Sequence, residues 1–211
     1  MLTFSELSIA LKKSPIVPVL TVETVAQAAP LAAALSAGGL GVLEVTLRTD
    51  AALDVITEMR NAAPNLIIGA GTVLTAADVE ATLKAGAQFL VSPGMTDKLH
   101  AAVSASQAVM LPGITTPSEA MARHEQGYEC LKLFPAEAVG GRALLKAMSG
   151  PLEHIKFMPT GGINASNAAD YLIRPNVIAI GGGWLAPLSD LEAGNWQAIE
   201  TRARAAMSLV E

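Results

Sequence analysis

One unit recurs along this chain: a short apolar run, a turn carrying glycine or threonine, an alanine-rich stretch of helical spacing, then a glycine. The apolar runs fall at 16–20, 42–47, 66–70, 88–92, 108–111, around Lys132, at 155–158 and at 177–180, about 20 to 26 residues apart. Strands that are almost continuously apolar and separated by helices require a parallel sheet covered on its outer face. About eight of them predict an α/β fold closed as a (β/α)8 TIM barrel rather than an open doubly wound sheet, although 211 residues is short for that fold, typically ~250. Residues 2–13 read as an N-terminal amphipathic helix before the first strand, with Phe4, Leu7, Ile9 and Leu11 among polar residues and Ser14-Pro15 as its stop. Helices are expected over 24–37, 50–61, 75–85, 96–104, 116–126, 140–148, 165–173 and 194–209. Pro30 implies a kink or a late start in the first of these. No linker, charge run or low-complexity tract interrupts the series, so residues 1–211 are expected to form a single domain.

A chain that is 51% hydrophobic and 16% charged can bury one substantial core. Its net charge of −5, with no block of Lys or Arg, argues against a nucleic-acid partner. Cys130 is the one cysteine, so no internal disulfide forms, which fits a reducing cytoplasm. Glu6 comes early and Lys12 and Lys13 follow the apolar residues, the reverse of a secretory signal. No stretch approaches the ~20 apolar residues of a membrane span. The expected product is a soluble cytoplasmic protein whose partner is a small molecule.

Against this apolar background two charges stand out. In Glu129-Cys130-Leu131-Lys132-Leu133-Phe134 the strand alternation puts Cys130, Lys132 and Phe134 on one face. Two readings of Lys132 stay open: an edge lysine whose stem snorkels to water, or a neutral amine nucleophile able to form a Schiff base with a carbonyl substrate. Likewise Glu44, Thr46 and Arg48 share one face of the 42–47 strand. Active sites of such barrels lie at the C-terminal strand ends. There the chain places Gly69-Ala70-Gly71-Thr72, Ser92-Pro93-Gly94 and Pro112-Gly113, small or rigid residues that leave room for a ligand. Thr160-Gly161-Gly162 and Gly181-Gly182-Gly183 follow the last two strands, where these barrels bind phosphate through backbone N–H groups and a helix N-terminus. His100, His124 and His154 are widely separated and read as surface or packing residues, and Trp196 and Ile199 as core stripe.

Five segments together, Glu44-Val45-Thr46-Leu47-Arg48-Thr49, Gly69-Ala70-Gly71-Thr72-Val73-Leu74, Ser92-Pro93-Gly94, Lys132-Leu133-Phe134-Pro135-Ala136-Glu137 and Pro159-Thr160-Gly161-Gly162-Ile163, resemble the class I 2-keto-3-deoxy-6-phosphogluconate aldolases, also described as 4-hydroxy-2-oxoglutarate aldolases. The resemblance implies a barrel, usually a homotrimer, that cleaves the phosphorylated keto acid to pyruvate and glyceraldehyde 3-phosphate with no cofactor and no metal. By similarity, Lys132 would be the Schiff-base lysine and Glu44 the general acid/base. Arg48 and Thr72 would hold the pyruvyl carboxylate, with Pro93 and Phe134 also against the substrate. Thr160, Gly161, Gly162, Gly182 and Gly183 would line its far end and phosphate. One position departs: Gly183 stands where the family's Gly-Gly-Ser-Trp turn carries serine. A hydroxyl donor to phosphate is thereby lost, and 4-hydroxy-2-oxoglutarate or a related 2-keto-3-deoxy sugar acid is the alternative substrate.

Three rival readings share parts of this pattern. A metal-dependent pyruvate aldolase needs a carboxylate or histidine partner for Glu44, and the sequence offers none nearby. A phosphosugar isomerase or epimerase would use Glu44 as base without Lys132. A non-catalytic sugar-phosphate-binding barrel would leave both charges without a task.

Overall fold

The computed structural model describes residues 2–210. Parallel strands run in chain order: β1 (Ile16–Leu20), β2 (Val42–Thr46), β3 (Ile67–Gly71), β4 (Phe89–Val91), β5 (Met110–Leu111), β6 (Gly113–Ile114), β7 (Cys130–Leu133), β8 (Lys156–Phe157) and β9 (Ile180–Gly182). They form a curled six-stranded sheet, β5-β4-β3-β2-β1-β9, and a three-stranded sheet, β6-β7-β8. The succession is that of the expected barrel, but the ladder comes in two pieces with identifiable seams. Pro112 splits the fifth run: β5 pairs with β4 while β6 pairs with β7, because proline offers no N–H to continue a ladder. At the other seam the contact is reduced to isolated bridges, Phe157 to Val177 and Thr160 to Gly181, with the Gly181 N–H donating to Pro159 O at 2.9 Å. The last strand accordingly starts at Ile180, later than the expected 177–180.

Helices α1 (Phe4–Lys13), α2 (Ala28–Ala37), α3 (Ala52–Ala62), α4 (Ala76–Lys84), α5 (Asp97–Ser106), α6 (Pro117–Glu125), α7 (Gly141–Met148), α8 (Ala168–Leu172), α9 (Leu188–Ala193) and α10 (Trp196–Met207) complete the chain. Threonine sets several starts: Thr75, Thr96 and Thr116 each accept from a backbone N–H of the following first turn, and Asp78 and Glu119 close capping boxes. Pro30 sits in the first turn of α2 after a 3₁₀ turn at Val25–Gln27, the late start that its ring demands. The sequence reading missed α9, six residues whose apolar positions look like loop after a glycine-rich turn.

Strand alternation divides the interior in two. Leu43, Val45, Leu131 and Leu133 pack with the surrounding helices in one apolar cluster. Val17, Val42, Phe89, Val91, Leu111, Cys130 and Met158 face the other way, into a second cluster that takes Leu7 and Leu11 from α1 and nothing buried from any other helix. Thus α1 plugs one end of the strand array, leaving the opposite, C-terminal strand ends open. Among the described residues, no helix is long and apolar enough to cross a membrane.

Candidate active site

Lys132 and Glu44 point to the same interior. Lys132 Nζ donates to Glu44 Oε1 at 3.1 Å, with 3% and 0% of the two residues exposed. An isolated charge of either sign would be costly here, so each side chain is tolerable because of the other. The second carboxylate oxygen of Glu44, Oε2, is buried and has no partner among the described residues. Orphaned buried acceptors are rare, and a functional site is one place they persist. Gly71 makes the arrangement possible: a Cβ there would lie 2.1 Å from Glu44 Oε1. Phe134, one pleat above Lys132, sets its ring centroid 5.3 Å from Nζ, within cation–π range.

Two pleats above Glu44, Arg48 donates from Nε to Thr72 Oγ1 at 3.2 Å. Its terminal guanidinium nitrogens take no partner among the described residues, leaving the bidentate edge that suits a carboxylate. Thr72 holds a left-handed backbone, φ 62°, which is unfavourable for a β-branched residue. Arg48, Phe134, Thr160, Gly161, Gly162, Gly182 and Gly183 all line one cavity of about 330 Å³. Lys132 and Glu44 do not line it themselves; each precedes a lining residue along the chain, Lys132 two positions before Phe134 and Glu44 four before Arg48, which sets the pair beneath the cavity. The N–H groups of Gly161, Gly162 and Gly183 have no acceptor among the described residues. Gly161 and Gly162 adopt φ of 100° and 79°, conformations open to glycine at little cost. The helix behind this turn, α8, begins at Ala168, three residues later than expected; Asn164 and Asn167 organise the intervening turn, the Asn167 amide donating to Gly162 O at 3.1 Å. Thr72 and Pro93 do not line the cavity. Thr72 reaches it through Arg48, whereas Pro93 packs its backbone against Gly113.

A buried amine paired with a carboxylate, below a cavity edged by unclaimed donors, suits covalent chemistry on an anionic carbonyl compound. Residues 7–202 match an aldolase family model described as KDPG and KHG aldolase. The chain belongs to that family. It is 48% identical over 196 residues to a 2-dehydro-3-deoxy-phosphogluconate aldolase of Pseudoalteromonas atlantica, covering 93% of this chain and 91% of the relative. It is 45% identical over 197 residues to a KHG/KDPG aldolase of Escherichia coli K12, with 93% and 92% covered. In three dimensions it is similar to a KDPG aldolase of Legionella pneumophila in which pyruvate is captured as a covalent carbinolamine, with a TM-score of 0.91 at 42% identity, covering 94% and 97% of the two chains.

For this aldolase-family chain the sequence reading left some of the cavity unnamed. Thr21, just beyond β1, and Ala186, Pro187 and Leu188, around the start of α9, also line it. Thr21 could have been found, because Val17, Val19 and Thr21 fall on one face by alternation; the α9 residues carried no such signal. His124 and His154 are separated in sequence but not in space, and pack on one another as the reading of surface or packing residues expects. Though 30 positions apart, their rings meet with centroids 4.3 Å apart, because the end of α6 and the approach to β8 lie side by side. No group of three or more His, Cys, Asp or Glu side chains placed to hold a metal occurs among the described residues. Cys130 is buried, and its desolvation pushes the thiol up to about 12, the mark of a packing residue. Burial, followed by its hydrogen bond to Glu137, also raises the Tyr171 hydroxyl.

Proposed function

We propose that this protein is a class I aldolase that cleaves 2-dehydro-3-deoxy-6-phosphogluconate to pyruvate and glyceraldehyde 3-phosphate through a Schiff base on Lys132. The observation that carries this reading is the buried Lys132–Glu44 pair, 3.1 Å apart, beneath the cavity. Glu44 takes a proton from the ammonium, and the neutral amine attacks the C2 carbonyl. Loss of water from the carbinolamine gives an iminium, with Glu44 supplying the proton that leaves with the hydroxyl. As the C3–C4 bond breaks, its electrons enter the iminium to form a neutral enamine while the C4 hydroxyl gives up its proton. The unpartnered Oε2 of Glu44 is the available acceptor. Protonation of the enamine at C3 and hydrolysis release pyruvate and free the lysine.

Arg48, tethered by Thr72, takes the pyruvyl carboxylate, Phe134 closes over the amine, and Pro93 acts from behind the cavity wall through its backbone contact with Gly113. Thr160, Gly161, Gly162, Gly182 and Gly183 receive the far end, where unclaimed N–H groups suit a phosphate. Gly183 offers no hydroxyl, which favours a second reading in which 4-hydroxy-2-oxoglutarate, cleaved to pyruvate and glyoxylate, is also a substrate. A phosphosugar isomerase would have no use for the amine. Residues 1–211 as one domain, a homotrimer with exposed Leu74, Met121 and Ile173 available for its contacts, and a place in the cytoplasm belong to the same proposal. The test is pyruvate release, followed by coupled reduction to lactate, from the phosphorylated and unphosphorylated keto acids. A higher kcat/KM for the phosphorylated acid supports the first reading, and no pyruvate from either overturns both.

A further inference from the structure

Thr21 lines the cavity between Arg48 and the glycine turns. Its hydroxyl oxygen is 3.1 Å from that of Thr46, and Thr46 donates to the Leu20 carbonyl at 2.9 Å. Each hydroxyl has one proton to give. The Leu20 carbonyl only accepts, so the Thr46 proton is committed to it. Thr46 can then only accept from Thr21, whose own proton is committed in turn. Thr46 is fully buried, so water does not disturb the chain of donors. Thr21 therefore presents lone pairs to the cavity and no proton.

An acceptor at this point is a poor neighbour for an anion. Carboxylate and phosphate are acceptors themselves, and the donors suited to them are Arg48 and the N–H groups of Gly161, Gly162 and Gly183. What fits against Thr21 is a neutral donor, and the hydroxyl-bearing carbons of a sugar acid lie between its two anionic ends. We propose that Thr21 is a specificity-determining residue that accepts a hydrogen bond from the hydroxyl next to the carbonyl of the aldehyde fragment, and that Thr46 is the positioning residue that keeps Thr21 an acceptor. The inference rests on the aldolase reading and narrows its substrate class. Glyceraldehyde 3-phosphate carries such a hydroxyl, while glyoxylate does not.

The test is pyruvate addition to glyceraldehyde 3-phosphate and to its 2-deoxy analogue, 3-phosphopropanal. The unsubstituted chain favours the hydroxylated aldehyde in kcat/KM by about three- to tenfold, the worth of one neutral hydrogen bond. Thr21→Ser keeps that preference. Thr21→Val brings the ratio close to one through loss on the hydroxylated aldehyde alone, and Thr21→Ala gives the same comparison should the valine variant fail to fold. Thr46→Val lowers the ratio and Thr46→Ser restores it. A structural fault would depress both aldehydes together. An unchanged ratio in Thr21→Val, or a parallel fall for both aldehydes, overturns the role of Thr21. Borohydride trapping of pyruvate on the unsubstituted chain separates the two claims: with no adduct on Lys132 both fall, whereas an adduct with an unchanged ratio removes Thr21 alone.

Discussion

At the scale of single residues, the site turns on two charges that only each other's presence makes tolerable. Replacing Glu44 by Gln keeps the volume and a hydrogen-bond acceptor for Lys132 but removes the proton acceptor. The expected result is a kcat lower by about 10²–10⁴-fold in a protein that still folds but melts at a lower temperature, because the buried Lys132 loses its counter-charge, measured by lactate-coupled turnover and calorimetry. Gly71→Ala reaches the same carboxylate from behind. The new Cβ would overlap Glu44 Oε1, so the side chain must swing away from Lys132, and a loss of similar order is expected without any change at Glu44 itself. The charged members were legible as oddities in apolar strands. The supporting roles of Gly71 and Thr46 were not, because a small residue in a strand reads as ordinary turn chemistry until the atom it makes room for is known.

At the scale of elements, the turn between β6 and α6 links helix capping to the site. Glu119 receives the N–H groups of Thr115 and Thr116 at 2.7 and 2.8 Å, and the Thr115 hydroxyl donates to Phe134 O at 3.1 Å. Burial works against the charge of Glu119, but those backbone donors outweigh it and hold the carboxyl below its ordinary value. A carboxyl lowered in the folded state stabilises the fold above its unfolded value, and that contribution is lost as pH falls through the folded value. Glu119→Gln is therefore expected to be less stable than the parent at neutral pH and to converge with it in acid, as followed by urea midpoints across pH. A gap that stays constant would refute this. The helices expected from residues 75, 96 and 116 begin on threonines that the structure shows as the N-caps of α4, α5 and α6. Helix α9 carried no such signal, since Pro187 at its N-cap provides no side-chain bond.

At the scale of the whole molecule, the strand order follows from the repeat in the sequence, while the seams do not. Pro112 was visible, yet whether a proline ends a strand or only divides it depends on what pairs with the residues on either side. The plug is a second property of the whole. Leu7 and Leu11 are fully buried among inward-facing strand residues, and Leu7→Ala is expected to cost about 2–5 kcal/mol, read as a lower denaturant midpoint with KM for the keto acid unchanged in the folded enzyme. A rise in KM would mean that α1 shapes the far end of the strands as well.

The central claim is that the amine of Lys132 becomes covalently bonded to the keto acid, and borohydride reduction in the presence of pyruvate tests it most directly. Peptide mass spectrometry should find the reduced pyruvate adduct on Lys132, and Lys132→Ala should show no adduct and no turnover. An adduct on another lysine, or turnover that survives Lys132→Ala, would contradict the account.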